Sequence, residues 1–236
     1  RDRAVAVMGI SASYPAAQRA QALEIARRFD LHHLEVVTDE LSDPDYIANA
    51  PNRCYFCKRE LWSQLTRVAR ERVLGIVADG TNADDLGEHR PGLGAAAEFG
   101  IRSPLAEAGY AKAQVRQEAR ALGIPIWDAP AAPCLSSRVM YGLSVTPERL
   151  EQVERGEEFL RSLGVEGDLR VRHRGEEARI EVAPSEFDRV RAHRGPVAAR
   201  LLALGFARVT LDLRGYRRGS LLAGRAPELE LLGERG

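Results

Sequence analysis

Short apolar runs alternate with amphipathic stretches in the first half of this 236-residue chain, and that alternation restricts its fold more than any other feature. Ala4-Val5-Ala6-Val7-Met8 is a β-like run that ends at Gly9. Pro15 to Phe29 then carries Ala16, Ala20, Leu23, Ile25 and Ala26 on or near one helical face. Leu34-Glu35-Val36-Val37 reads as the next strand. Strand, helix, strand at this spacing is the unit of a parallel sheet covered by helices. Leu74-Gly75-Ile76-Val77-Ala78 is expected as a third strand, apolar throughout because both of its faces are covered.

That run ends in Asp79-Gly80-Thr81-Asn82-Ala83-Asp84-Asp85, and Arg90-Pro91-Gly92-Leu93-Gly94 is expected to continue the loop. Taken alone, the stretch is a polar turn. Its place at a strand's carboxyl end, where open α/β sheets bind ligands, makes it a candidate site for a nucleotide with Mg2+. Ser103-Pro104-Leu105 precedes a helix from about Lys112 to Leu122, closed by Gly123 and Pro125.

The pattern changes after Tyr141-Gly142. Thr146-Pro147-Glu148 opens a helix running to Ser162, with Pro in the first turn. Leu169 to Arg174 and Ala178 to Val182 alternate like two exposed strands joined by a turn at Gly175. A helix from Ser185 to about Leu204 and the strand Arg208 to Leu213 complete the unit, with a frayed tail expected after Gly224. The fold class is therefore α/β, with a parallel-sheet domain over 1–142 and a smaller α+β domain over 143–236.

All three cysteines sit in short motifs beside a fixed positive charge. Cys54 and Cys57 form a C-x-x-C followed by Lys58, in Asn52-Arg53-Cys54-Tyr55-Phe56-Cys57-Lys58. Cys134 lies in Ala132-Pro133-Cys134-Leu135-Ser136-Ser137-Arg138. Cysteines spent as small hydrophobes are scattered through apolar runs instead. A structural zinc site wants four closed ligands. Here no histidine neighbours the third thiol; His32, His33, His89, His173 and His193 read as surface or substrate-side residues. A redox C-x-x-C leaves Cys134 without a role. A four-iron cluster on three thiolates uses all three and leaves one iron open. The residues alone leave these alternatives standing. Lys58 and Arg138 are either solvated charges or neutralise an anionic cluster or a substrate phosphate.

Charge narrows the partners. The 34 lysines and arginines balance 34 aspartates and glutamates, which argues against bulk electrostatic binding to nucleic acid or to an anionic membrane. No apolar run approaches the length of a membrane span. Arg1-Asp2-Arg3 carries no signal-peptide pattern, and an odd cysteine count fits a reducing cytoplasm better than a disulfide framework.

The series Asp79-Gly80-Thr81-Asn82, Arg90-Pro91-Gly92, Arg102-Ser103-Pro104-Leu105 and Leu122-Gly123-Ile124-Pro125 resembles the PP-loop ATP pyrophosphatase (adenine nucleotide alpha hydrolase-like) superfamily. Within it, both cysteine motifs, Arg170-Val171-Arg172-His173, Val209-Thr210-Leu211-Asp212-Leu213 and Gly215-Tyr216-Arg217 resemble the LarE family of ATP-dependent sulfur transferases. The similarity covers nearly the whole chain. The family's Ser-Gly-Gly-x-Asp-Ser loop is absent, and the chain starts where the family's second strand would be. A truncated amino terminus is the expectation; the other possibility is a chain unable to grip the ATP pyrophosphate.

The resemblance implies the rest. A three-cysteine form of the family holds a 4Fe-4S cluster through the positions of Cys54, Cys57 and Cys134, and its open iron carries a sulfide. The implied substrate is a small-molecule nucleotide, a pyridinium biscarboxylic acid mononucleotide, activated by ATP. Lys58, Cys134 and Asp85 match reaction-centre positions, and Asp79, Asn82 and Arg90 match nucleotide contacts. Ser137, Arg138, Arg170 and Arg172 match substrate-phosphate contacts, for which the planar guanidinium fork is suited. Glu157 and Glu181 match carboxylates at an inter-subunit metal site, and a symmetric homo-oligomer is implied. A tRNA thiolase of the same superfamily needs a basic RNA-binding surface or added zinc modules. A non-catalytic zinc-stabilised binding module is the reading from another class, separated from the first by nucleotide binding and metal identity.

Overall fold

The computed structural model describes residues 4–87, 90–129, 133–217 and 228–232. They fall into two compact units, Arg1–Ala131 and Ala132–Gly236. The division comes before Gly142 because the stretch after Cys134 is held inside the second unit. Leu135–Arg138 is a 3-10 turn, and Val139 forms a parallel bridge with His173.

In the first unit, β1 (Ala6–Ile10) pairs in parallel with β2 (His33–Val37), with Ala6 opposite His33 and Ile10 opposite Val37. The connecting α1 (Ala16–Arg28) follows the apolar spacing. A 3-10 turn at Glu40–Ser42 leads into α2 (Pro44–Ile47), capped by Asp43, whose carboxylate accepts from the Asp45 amide at 3.0 Å. α3 (Arg53–Glu71) begins at the first cysteine motif.

Two expectations for this unit are corrected. Leu74 to Ala78 is not a covered strand: Ala78 makes one parallel bridge, to Arg102, and Ile76 is 66% exposed. Val73 enters the run in the left-handed region (φ 57), and only Val77 and Asp79 exchange backbone bonds with Arg102, at 3.0 and 2.9 Å. The stretch after Arg90 is not a loop but α4 (Pro91–Glu98). Proline suits a first helical position because its missing N–H has no partner there. Glycine is a poor helix former, yet here packing prevails. The small residues bring α4 close enough to bury Ala95 and Ala96 with Trp62 of α3. α5 (Pro104–Glu107) and α6 (Lys112–Ala121) finish the unit.

The second unit opens with α7 (Pro147–Ser162), whose cap Thr146 accepts from the Arg149 amide at 3.3 Å. β3 (Leu169–Arg174) and β4 (Glu177–Val182) form an antiparallel hairpin through Gly175. The expected single helix is two, α8 (Phe187–Ala192) and α9 (Arg194–Ala203), broken at His193. Pro196 supplies the reason: without an N–H it cannot donate back into the preceding turn. β5 (Arg208–Asp212) runs parallel to β4, and β6 (Glu228–Leu232) antiparallel to β5, giving the order β3-β4-β5-β6. β6 overturns the expectation of a frayed tail. Residues 225–227 and 233–236 of that tail, together with 218–224, His89 and Ala132, lie outside the described residues.

Alternation along the strands sorts two chemistries. Leu169, Val171, Ala178, Ile180, Val182, Val209 and Leu211 pack with Leu160, Val197, Leu201 and Phe206 into one core. The opposite positions are Arg170, Arg172, Arg179, Glu181, Thr210 and Asp212, and these are buried as well. The hairpin was expected to be exposed. Its charges tolerate burial because they pair: Arg172 with Glu181 at 2.9 Å and Arg179 with Asp212 at 2.8 Å. Among the described residues, no helix is long and apolar enough to cross a membrane.

Candidate functional site

The first turn of α3 presents Cys54 to solvent and leaves Cys57 half-buried. Residues three and four apart share a helix face. Cys54 thus lies on one ridge with both Cys57 and Lys58. The Lys58 ammonium sits over the Trp62 ring, 4.9 Å from its centroid. Gly92 of α4 lies against this turn: a Cβ there would stand 2.9 Å from Lys58 Cγ and 3.6 Å from the Cys54 carbonyl oxygen.

The loop from Asp79 is internally bonded. Asp79 Oδ1 accepts from the Thr81 amide at 3.1 Å and from Ser103 Oγ at 2.7 Å, while its Oδ2 accepts from Thr81 Oγ1 at 2.8 Å. Asn82 Oδ1 accepts from the Asp84 amide at 3.1 Å, and the Asn82 amide donates to Asp85 Oδ2 at 3.2 Å. Asp85 Oδ1 is paired with Arg90 at 2.6 Å. Asp84 accepts the Lys112 amide at 2.9 Å, at the start of α6. The carboxylates of Asp79, Asp84 and Asp85 therefore all take part in bonds that shape the loop, with Asp84 and Arg90 its exposed charges and Asp85 largely covered.

In the second unit, the Cys134 carbonyl oxygen accepts three bonds: the Ser137 amide at 3.0 Å, Ser137 Oγ at 2.7 Å and Arg138 Nη1 at 2.8 Å. Arg138 Nη1 also donates to the Pro133 carbonyl. Its Nε and Nη2 grip Glu157 of α7 at 3.0 and 3.1 Å, a bidentate pair at a buried guanidinium. Glu157 Oε1 further accepts the Val171 amide at 3.0 Å. Arg172 donates to Glu181 at 2.9 Å and to the Ser137 carbonyl at 2.9 Å. The Arg170 guanidinium lies 5.1 Å from the Tyr216 ring centroid. Burial, then the neighbouring Arg138 charge, push Arg170 below the ordinary guanidinium value. Arg138, Arg170 and Arg172 thus gather in one buried neighbourhood, in which Glu157 pairs with Arg138 and Glu181 with Arg172.

No family model matches the chain. Among curated relatives, an uncharacterised protein of Synechocystis sp. is 43% identical over 92% of this chain and 82% of its own length. The pyridinium-3,5-bisthiocarboxylic acid mononucleotide synthase of Lactiplantibacillus plantarum is 34% identical over 94% of this chain and 80% of its own length. The chain belongs to the LarE family. A further relative, an uncharacterised protein of Methanocaldococcus jannaschii, is 33% identical over 81% of this chain and 73% of its own length.

For a LarE-family chain the question is whether the residues present suit a 4Fe-4S cluster. The donor set is three thiols, and none is in a disulfide. Soft thiolates are the ligands such clusters take. Among the described residues of either unit, no three His, Cys, Asp or Glu side chains gather into a metal-holding group. Glu157 and Glu181, expected at an inter-subunit metal site, are here engaged by Arg138 and Arg172. His173 is not a surface residue. It is buried, its Nε2 donates to Gln152 Oε1 at 2.9 Å, and burial lowers its pKa to about 4. Sequence reading missed Trp62, and it missed the pair of Arg179 with Asp212. The first has only an ordinary apolar position as its signal. The second depends on strand register, although alternation from Glu181 would have put Arg179 on the polar face.

Proposed function

We propose that this chain is an ATP-dependent sulfur transferase of nickel-pincer nucleotide cofactor biosynthesis. It adenylylates a carboxylate of a pyridinium-3,5-biscarboxylic acid mononucleotide and converts it to a thiocarboxylate. The observation that carries the reading is the match, over 94% of the chain, to a synthase named for the bisthiocarboxylic product. The buried guanidiniums and the thiols flanked by Lys58 and Arg138 support it.

A carboxylate is a poor acyl donor, so it is first made a mixed anhydride. Its oxygen attacks the α-phosphorus of ATP and pyrophosphate leaves. A sulfur nucleophile then attacks the carbonyl carbon, and AMP leaves with the electron pair of the C–O bond. A 4Fe-4S cluster held by Cys54, Cys57 and Cys134 supplies, when bound, an open iron on which sulfide can be carried. Lys58 opposes the negative charge that builds on the carbonyl oxygen. Asp85 and Arg90, with Asp79 and Asn82 shaping their loop, hold ATP and its Mg2+. Arg170 and Arg172 hold the substrate phosphate, while Arg138 and Ser137 fix the Cys134 turn beside it. We place the enzyme in the cytoplasm as a homo-oligomer, with neither nucleic acid nor membrane as partner.

The test is to incubate anaerobically purified chain with ATP, Mg2+, sulfide and the biscarboxylic mononucleotide, and to follow products by mass spectrometry. Sulfur-for-oxygen exchange with AMP and pyrophosphate is expected, falling at least about 100-fold in Lys58→Met. The protein should hold about four irons per chain, lost in Cys134→Ala. ADP in place of AMP, or one zinc and no sulfide, would overturn the mechanism.

A further inference from the structure

The buried indole under Lys58 has a chemical oddity. Trp62 is 3% exposed, yet its Nε1–H has no hydrogen-bond partner among the described residues. Phenylalanine would fill the same seam between α3 and α4 without burying an unpaired donor. What tryptophan adds is a stronger π face, the best of the aromatic rings for holding a cation. That face is in use. Lys58 Nζ stands 4.9 Å from the ring centroid, and among the described residues no carboxylate pairs with it. Helical side chains lean toward the amino terminus, so Trp62 reaches back beneath the turn that carries Lys58. On the other side, Gly92 admits the Lys58 stem, because any Cβ there would come within 2.9 Å of Cγ. Cys54, Lys58 and Trp62 recur every four residues and form one row along α3.

We propose that Trp62 is the positioning residue for Lys58. Its indole holds the ammonium on the ridge of Cys54, with the N–H bonds left to face a reacting oxygen, and Gly92 closes the opposite wall. The inference rests on the role proposed above for Lys58, and its test separates the two.

In the full chain carrying Trp127→Phe, Trp62 is the sole tryptophan, and its emission is read by exciting beyond the tyrosine absorption band. Lys58→Met is expected to change its emission, and Lys58→Arg to retain it, because a guanidinium also sits on an aromatic face. Unchanged emission in Lys58→Met overturns the contact, whatever the enzyme does. In the sulfur-transfer assay, Trp62→Phe should keep the unfolding midpoint and the KM for ATP while kcat falls roughly 2- to 30-fold. Trp62→Leu should fall further. A Trp62→Phe protein with unaltered kcat would make Trp62 core filler and sink the proposal. If the unsubstituted chain transfers no sulfur, the functional reading fails by itself and the emission comparison alone decides the contact.

Discussion

Arg138 is 3% exposed and grips Glu157 through two hydrogen bonds, so removing one partner leaves a buried charge uncompensated. Breaking such a pair costs about 3–5 kcal/mol, whereas replacing both partners by apolar groups is often close to neutral. Glu157→Ala is therefore expected to lower unfolding stability by that amount in denaturant titrations. The pair Arg138→Met with Glu157→Leu should recover most of it. Equal losses in both proteins would mean that the pair holds nothing. His173 gives a second residue-level prediction. Its pKa is lowered from 6.5 to about 4, so the folded state keeps it neutral while the unfolded chain takes up a proton. That contribution is complete above pH 6.5 and is lost as pH falls toward 4, amounting to about 3 kcal/mol at most. His173→Gln should flatten this part of the stability profile. Sequence makes Cys54, Lys58 and Arg170 visible because their residue types are unusual in their settings. It hides His173, whose burial comes from Phe206 and Gln152 far along the chain.

At the scale of elements, local signals placed α1, α3, α7 and the β3–β4 hairpin: apolar periodicity in the helices, with the Thr146 cap added at α7, and alternation in the hairpin. The departures came where contact between elements outweighs local preference. α4 is a glycine-bearing helix because α3 accepts it, and β6 exists because β5 offers an edge, which no reading of Glu228–Leu232 alone could establish. The turn after β5 shows how such an element serves the site. Gly215 has φ 70, and a Cβ there would stand 2.9 Å from the Val182 carbonyl oxygen, which accepts the Tyr216 amide at 2.9 Å. Backbone cannot swing aside as a side chain can. Gly215→Ala is expected to cost roughly 1–3 kcal/mol and to shift Tyr216 from beneath Arg170. A lowered thermal midpoint together with weaker binding of the substrate mononucleotide would bear this out. An alanine variant with both unaltered would mean that the turn relaxes freely.

At the scale of the molecule, two units were legible from the change of pattern near Gly142, but their division was not. Residues 133–142 carry no periodicity, and the Val139–His173 bridge that assigns them is non-local. The units also differ in how their apolar residues are spent. The second has a continuous core from Leu160 through Leu211. Among the described residues of the first, the α3–α4 cluster buries Trp62, Ala95 and Ala96, while Val37 is 79% and Val73 91% exposed. Regions with few buried apolar contacts open at lower free energy. Amides of β1 and β2 should therefore exchange with solvent faster than those of β3, β4 and β5. A ligand that binds only the folded state stabilises it by about 2.7 kcal/mol at a hundredfold excess over its Kd. ATP with Mg2+ should accordingly slow exchange in the first unit, most at the Ala83 and Asp85 amides, which bond to the Tyr110 and Asn82 carbonyls at 2.8 and 3.1 Å. Slowing confined to β3–β5, with the Asp79–Arg90 stretch unmoved, would leave that loop as a polar turn and put the nucleotide contact elsewhere in the chain.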